Sequence, residues 1–214
     1  MTKPKGIPVM LNVMGWRVLI VGGGAVAARR AAALVDAGAE VTVVAPEVDV
    51  SVESLGVDIR RERFDPDHLA LGSFALVVVA TNDPETNERV SFTLDHLPDA
   101  PLCNRADDGD AGDVSFMASH IDGPLTLAVH TGGASASAAA TIRDSLAEQL
   151  DPAWPGVLSV ARETRQAIQQ QFVDPAKRQA MLRRLTDDAA LAAYRAGGAE
   201  ALQTHYRDIM QGLA

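Results

Sequence analysis

A glycine-rich run, Gly22-Gly23-Gly24-Ala25-Val26-Ala27, fits the pattern G-x-G-x-x-G/A, with a small residue in the last place. The first glycine of this pattern permits a tight turn, the second lets a pyrophosphate approach the backbone, and the small residue lets a helix pack on the sheet. The helix that follows would offer free N–H groups and its positive dipole end to phosphates. We therefore expect dinucleotide binding by Gly22, Gly23, Gly24, Ala25 and Val26, with a ligand-free structural turn as the alternative.

The residue that selects the cofactor's ribose should stand about 20 residues after the glycines, at the end of the second strand. Glu47 lies slightly beyond that point, after Val43-Val44-Ala45-Pro46. Glu47 could reach the ribose hydroxyls, or Pro46 and Glu47 could contact the cofactor through their backbone. Because no arginine follows directly to hold a 2′-phosphate, the sequence favours NAD over NADP.

Polar residues also follow the apolar run Phe74–Ala80, which we predict as a buried strand. Thr81 and Asn82 come directly after it. The carboxyl end of a parallel strand lies beside a bound nucleotide, so we expect both residues to contact the cofactor. A helix-capping turn is the alternative, and both roles can hold at once.

A third polar stretch, Asn104-Arg105-Ala106-Asp107-Asp108, follows the short predicted strand Pro101–Asn104. A carboxylate in that crevice could serve as a general base. Arg105 could pair with an anionic substrate. A solvated acidic loop is the alternative reading of the same residues.

Metal and disulfide chemistry find little support in the sequence. The chain has one cysteine, Cys103, which excludes an internal disulfide and a cysteine-rich metal site, and its five histidines show no metal-ligand spacing. The run Thr131–Ser135 links a strand to a helix through two glycines and is either a phosphate nest or a hinge. It is not a P-loop, because it lacks the lysine.

The elements that must position these residues alternate between strand and helix. We predict strands at 18–21, 40–45, 57–61, 74–80 and 101–104, with helices at 26–37 and 84–96. This order is typical of an α/β, Rossmann-like parallel sheet. Strands at 114–119 and 125–130, a helix at 136–150 and an all-helical remainder follow. We therefore predict a nucleotide-binding domain at 1–113, a small strand-helix region at 114–150 and a helical domain at 151–214.

Composition limits the classes of partner. The 214 residues carry a net charge of −9, and 47% of them are hydrophobic. Nucleic acid is a poor partner for a chain without a basic face. Apolar runs stay below the roughly 18 residues of a membrane span, and we expect no secretory leader. A cytoplasmic location fits the single cysteine.

Taken together, these motifs resemble the precorrin-2 dehydrogenases of sirohaem synthesis, which stand alone or form the N-terminal module of larger sirohaem synthases. The resemblance covers about the first 150 residues in the family's order. The matching segments are Pro8–Val13, Val21–Ala27 with Arg29-Arg30, Val41–Pro46, Ala80–Asp83, Cys103–Asp107, Ser115-Phe116 and Thr131–Ser135. Pro8–Val13 resembles the family's short N-terminal strand.

The resemblance implies NAD-dependent oxidation of precorrin-2 to sirohydrochlorin, and some members also insert Fe²⁺ as ferrochelatases. The family's catalytic aspartate falls on Asp107, and we place substrate binding at Asn104, Arg105 and Ser135. A base there would profit from a pKa raised by partial burial. The family also implies a homodimer formed through residues 114–150. We expect no methyltransferase module.

Several positions depart from the family's pattern, and other functions stay open. Ala136 stands where the family often has proline, Arg105-Ala106 replaces an apolar pair, and His120 replaces an apolar residue. A carboxylate-rich tetrapyrrole needs local cations, for which Arg105, Arg143 and Arg29 are candidates. The alternatives are a non-catalytic, NAD-sensing regulatory Rossmann domain and a scaffold without a ligand.

Overall fold

The computed structural model describes residues 6–70, 72–109 and 111–213, and the chain forms two compact units, Met1–Phe116 and Met117–Ala214. In the described part of the first unit, a parallel sheet has the strand order β3-β2-β1-β4-β5. Its strands are β1 (Arg17–Val21), β2 (Glu40–Val44), β3 (Asp58–Arg60), β4 (Leu76–Val79) and β5 (Leu102–Arg105). Its helices are α1 (Ala25–Asp36), α2 (Val50–Glu53), α3 (Asp67–Ala70) and α4 (Pro84–Asp95).

The central strands are apolar on both faces because helices cover both sides of the sheet. Val18 and Ile20 of β1 pack in one core with Ala27 and Leu34 of α1. Leu19 and Val21 point to the other side, where they pack in a second core with α4. The predicted Rossmann-like sheet is thus confirmed, and its chain order reverses between β1 and β4, which is where such sheets bind nucleotides.

Two predicted strands were misplaced. Residues 8–13 form no strand, and the side chains of Val9 and Met10 in this segment are exposed. The strand predicted at 114–119 begins only at Ala118. Val114 instead donates its N–H to the Cys103 carbonyl and packs against the core of the first unit, so it belongs to the edge of the parallel sheet.

The second unit begins with the antiparallel hairpin of β6 (Ala118–Asp122) and β7 (Leu125–Val129), against which α5 (Ala136–Gln149) packs. Three more helical segments follow: α6 (Trp154–Gln171), α7 (Pro175–Arg184) and α8 (Asp188–Leu213). The last is interrupted at Gly197 and Gly198, whose backbone angles are not helical. The three segments enclose a core around Val157, Ile168, Met181 and Tyr206. The boundary between the two units follows Phe116, and the finer three-part division at 113 and 150 stays a prediction.

Candidate active site

A cleft of about 740 Å³ opens at the carboxyl ends of β1, β2 and β4. All the residues expected to bind the cofactor line this one cavity: Gly22, Gly23, Gly24, Ala25, Val26, Pro46, Glu47, Thr81 and Asn82. They come from three separate segments of the chain. The parallel sheet brings them together because its strands end at the same edge.

The glycines of the first loop serve different purposes. Gly22 has φ +125°, and a Cβ there would lie 2.3 Å from the Ala80 carbonyl oxygen. A Cβ on Gly23 would lie 2.1 Å from the Glu47 carbonyl oxygen, so both glycines permit close backbone packing. Around Gly24, in contrast, no described atom would come within 4 Å of a Cβ. The space beside Gly24 therefore belongs to the cleft.

The N-terminus of α1 fits a pyrophosphate. Among the described residues no side chain caps this end, which leaves the N–H groups of the first helical turn without helical acceptors. Such N–H groups and the helix dipole favour an anion. Ala27 is fully buried against the sheet, as predicted for the small residue of the pattern. The loop and helix therefore fit the dinucleotide expected from the sequence.

The cleft also contains residues that the sequence analysis missed. Arg63 and Phe64 follow β3 and line the same cavity as the glycines and Glu47. The sequence shows no arginine directly after β2, but β3 pairs with β2 and ends at the same edge of the sheet. The predicted order of the strands, with β3 next to β2, could therefore have placed the residues after β3 at the cleft.

Asp107 follows β5 and is held by two side chains. Arg105 donates from Nε to Oδ1 at 2.8 Å and from Nη2 to Oδ2 at 2.7 Å. Asn87 of α4 donates from Nδ2 to Oδ2 at 2.9 Å. The hydrogen bonds from Arg105 are the largest cause that lowers the pKa of Asp107 to about 2. The carboxylate is therefore ionised at neutral pH.

This finding corrects the expectation of a raised pKa. Partial burial does raise the pKa of Asp107, but the hydrogen bonds from Arg105 lower it by more, and Asn87 and the positive charge of Arg105 add to this effect. The sequence placed Arg105 next to Asp107 without showing that the two side chains pair.

Arg105 itself is only 5% exposed. Besides Asp107, its guanidinium donates to the Ser91 hydroxyl at 2.8 Å and to a Glu88 carboxylate oxygen at 3.0 Å. The hydrogen bonds to Asp107 are the largest cause that raises the pKa of Arg105 further above its ordinary value. Each of its three nitrogens thus has a partner inside the protein, which argues against the expected contact with substrate.

Asn104 is also buried, and it faces the opposite side of the sheet. Its Nδ2 donates to the Val114 carbonyl oxygen at 2.8 Å, which fastens the segment after the acidic loop to β5. Its Oδ1 is buried without a hydrogen-bond partner among the described residues. Direct substrate binding by Asn104 and Arg105 stays a prediction, and the burial of both side chains weakens it.

Ser135 lies in the second unit, where it is the N-cap of α5. Its Oγ accepts the Ala138 N–H at 3.1 Å and shares a hydrogen bond with the Ser137 hydroxyl. Its role toward substrate stays a prediction. Of the other candidate cations, Arg143 pairs with the neighbouring Asp144, and Arg29 is exposed on α1.

Asn87 connects the cofactor cleft with Asp107, and it too was missed. Its Oδ1 accepts the Thr81 hydroxyl at 2.6 Å, and its Nδ2 donates to the Thr81 carbonyl at 3.2 Å and to Asp107. Asn87, Glu88 and Ser91 occupy one side of α4, at helical spacing. That spacing on the helix after Thr81 was a signal in the sequence, although it does not identify the partners.

Comparisons with known proteins agree with this geometry. Residues 9–118 match the family model described as "Putative NAD(P)-binding". A precorrin-2 dehydrogenase from Priestia megaterium is 32% identical over 184 residues, which are 84% of this chain and 89% of that enzyme. The solved structure "SirC, precorrin-2 dehydrogenase" superposes with a TM-score of 0.77 at 26% identity, covering 95% of this chain and 100% of the other.

The chain belongs to the precorrin-2 dehydrogenase family. A siroheme synthase from Nitrosomonas eutropha is 34% identical and one from Nitrosospira multiformis is 35% identical; the chain spans only 35% and 37% of their lengths. The predicted resemblance is thus confirmed. The protein is an oxidoreductase of sirohaem biosynthesis with NAD as its cofactor, which favours an enzyme over the regulatory domain and the scaffold.

The described residues contain neither a metal-binding cluster nor a membrane-spanning helix. Within 6–70, 72–109 and 111–213, no group of three or more His, Cys, Asp or Glu side chains could hold a metal ion. In the same ranges, no helix is both long and apolar enough to cross a bilayer.

Proposed function

We propose that the protein oxidises precorrin-2 to sirohydrochlorin with NAD⁺ as the electron acceptor. When bound, NAD⁺ accepts a hydride with both electrons of the broken C–H bond. The observation that carries this proposal is the ionised Asp107, which is connected through one buried side chain, Asn87, to Thr81 in the cofactor cleft.

Asp107 acts in this proposal through its negative charge. Loss of a hydride leaves a positive charge on the macrocycle, and a second C–H or N–H proton must then leave to complete the two-electron oxidation. A carboxylate fixed beside that cation stabilises it without moving. A carboxylate with a pKa of about 2 is a weak proton acceptor at neutral pH, so its charge contributes more than its basicity.

An assay with enzymatically generated precorrin-2 tests the proposal. We expect NADH absorbance to rise only when protein, precorrin-2 and NAD⁺ are all present, together with the spectrum of sirohydrochlorin. Binding of NAD⁺ without turnover would favour the regulatory alternative instead. A mixture with precorrin-2 omitted serves as the control for contaminating dehydrogenases.

Insertion of Fe²⁺ into sirohydrochlorin is a second reaction, distinct from the dehydrogenation. Metal insertion releases two N–H protons from the macrocycle, and these protons need an acceptor. Because Asp107 is paired with Arg105, it is a weak acceptor, which supports the dehydrogenase more than the ferrochelatase. Incubating sirohydrochlorin and Fe²⁺ with the protein decides it: a rate above the protein-free control would establish iron insertion.

The protein is also proposed to form a homodimer through residues 114–150. This region leaves large apolar side chains exposed, with Ile121 at 69%, Ile142 at 45% and Leu146 at 41% exposure. The described residues of the β6–β7 hairpin include none that is fully buried. An apolar surface of this kind is typical of an interface.

A further inference from the structure

We infer that Asn87 is a positioning residue that fixes the orientation of Asp107 relative to the cofactor cleft. The inference rests on the proposed role of Asp107, and it concerns a side chain for which the family resemblance supplied no role. Asn87 is 2% exposed and lies on α4, so it contacts neither the cleft nor a substrate directly.

The orientation of the Asn87 amide follows from its partners. The Thr81 hydroxyl oxygen accepts the Asp83 N–H at 3.0 Å. Its own proton has two acceptors within reach, Asn87 Oδ1 at 2.6 Å and the Asp83 carbonyl at 3.1 Å, of which Asn87 Oδ1 is the nearer. The Thr81 carbonyl can only accept, so it requires the amide NH₂ on its side. The second N–H of that NH₂ group then points to Asp107 Oδ2.

Thr81 and Asp107 therefore share one buried amide. Thr81 lines the cofactor cleft, and the loop that contains it also caps α4 through Asp83. A cofactor that contacts this loop would restrict Thr81, and through Asn87 it would restrict Asp107.

Among the described residues, Arg105 and Cys103 on β5, Glu88 on α4 and Asp108 in the loop are charged or titratable groups of the Asp107 region. Asn87 binds Thr81 and Asp107, and Arg105 binds Asp107 through its own Nε and Nη2 donors. A change at Asn87 therefore alters Asp107 without removing the Arg105 pair.

Two substitutions of Asn87 test the inference in the full-length enzyme. Asn87→Ala removes the donor and the acceptor together, and we expect kcat to fall by about tenfold or more, since a hydrogen bond to a charged group is lost. We expect KM for NAD⁺ to rise as well. Asn87→Asp is nearly isosteric but puts a second carboxylate beside Asp107, and two such groups cannot both ionise freely. Arg105 holds Asp107 ionised, so the proton of this pair should reside on the introduced carboxyl, which can then donate to Asp107 as the amide does. This variant should therefore lose activity as the pH rises from about 5 to 7 and that proton is lost, whereas the wild type stays flat because Asp107 remains ionised.

Conservative variants separate positioning from simple structural support. Thr81→Val removes the hydroxyl that orients the amide and should lower kcat, whereas Thr81→Ser keeps the hydroxyl and should restore it. Asn12→Asp makes the same chemical change in an exposed segment and should leave both kcat and the pH profile unchanged. A protein that is merely less stable would show no such loss of activity with rising pH.

The outcomes distinguish the inference from the proposed function. If Asp107→Asn is inactive and Asn87→Asp loses activity as the pH rises from about 5 to 7, both are supported. If Asp107→Asn is inactive but Asn87→Asp and Thr81→Val have wild-type kcat and pH profiles, the inference is overturned and the proposed function stands. If Asp107→Asn keeps wild-type turnover, the role of Asp107 fails and the inference fails with it.

Discussion

Arg105 donates from Nε and Nη2 to the two carboxylate oxygens of Asp107, at 2.8 and 2.7 Å. The pair spans the end of β5 and the start of the acidic loop, so a buried strand residue holds a loop residue in place. Fork-shaped pairing of this kind fixes geometry as well as charge. It keeps Asp107 ionised, and the role that we propose for this residue is therefore electrostatic stabilisation.

Asp107→Asn removes the charge and nearly keeps the shape. We expect the rate of NADH formation from precorrin-2 to fall by about a hundredfold or more, because a preorganised charge is lost from the site. NAD⁺ affinity should change little. Asp108→Asn, which neutralises the next carboxylate of the same loop, serves as the matched control. Near wild-type turnover in Asp107→Asn would remove this residue from the mechanism.

Arg105→Met tests the other partner of the pair. The pKa of Asp107 should rise from about 2 toward or above its ordinary value of 3.8, because the main cause of the lowering is removed and partial burial remains. In the wild type, a lowered pKa gives stability that is present above about pH 4 and is lost as the pH falls toward 2. Urea unfolding between pH 6 and pH 3 should therefore show a steeper loss of stability in the wild type than in Arg105→Met. Equal slopes in the two proteins would show that the pair does not lower the pKa.

The glycines of the cofactor loop should respond differently to substitution. Gly24→Val places a side chain in the open cleft, where φ is −87° and no protein atom is close, so the fold should be kept while NAD⁺ binding weakens at least tenfold. Gly22→Ala introduces a Cβ against the Ala80 carbonyl at an unfavourable φ and should lower the melting temperature. Titration calorimetry and thermal unfolding separate the two effects. Unchanged NAD⁺ affinity in Gly24→Val would place the pyrophosphate elsewhere.

Much of the first unit could be predicted from local patterns. The run Val18–Val21, the glycines after it and the Asp83-Pro84 start of α4 each contain a signal that neighbouring residues determine, and the structure has the expected element at each place. Long-range partners were harder to predict. The packing of α4 on the sheet determines these contacts. It turns Arg105 inward to Asp107, and it lets Asn87 reach both Asp107 and Thr81.

The misassigned strands and the missed short helices also depend on features that a local sequence pattern does not contain. The strand at residues 8–13 was expected from the family resemblance alone, and none of the described strands pairs with this segment. Val114 was assigned to the first strand of the hairpin, whereas its N–H binds the Cys103 carbonyl of the edge strand β5. The short helices α2 and α3 have only four residues each, too few for helical periodicity to show.

Tyr206→Phe should destabilise the helical part of the second unit. The Tyr206 hydroxyl is buried and donates to the Leu185 carbonyl, and burial raises its pKa to about 12. Removing the hydroxyl leaves a buried carbonyl without that donor, at a cost of about 1–3 kcal/mol in the free energy of unfolding. Urea unfolding followed by tryptophan fluorescence measures this change, since Trp154 packs on the same core. Tyr194→Phe, at a half-buried position before the Gly197–Gly198 break in α8, is the control, and an equal effect in both variants would contradict a specific role for the hydrogen bond.

The exposed apolar face of α5 should decide the oligomeric state. Ile142 and Leu146 lie one turn apart and are 45% and 41% exposed, so a charge there would be buried without a partner if this face forms the dimer interface. We expect Leu146→Glu to convert a dimer into a monomer in sedimentation velocity, while far-UV circular dichroism stays unchanged. Val173→Glu puts the same charge on an exposed valine between α6 and α7 and should leave the dimer intact. A Leu146→Glu protein that still sediments as a dimer would exclude this face as the interface. If the monomer forms but retains wild-type turnover, each subunit contains a complete active site.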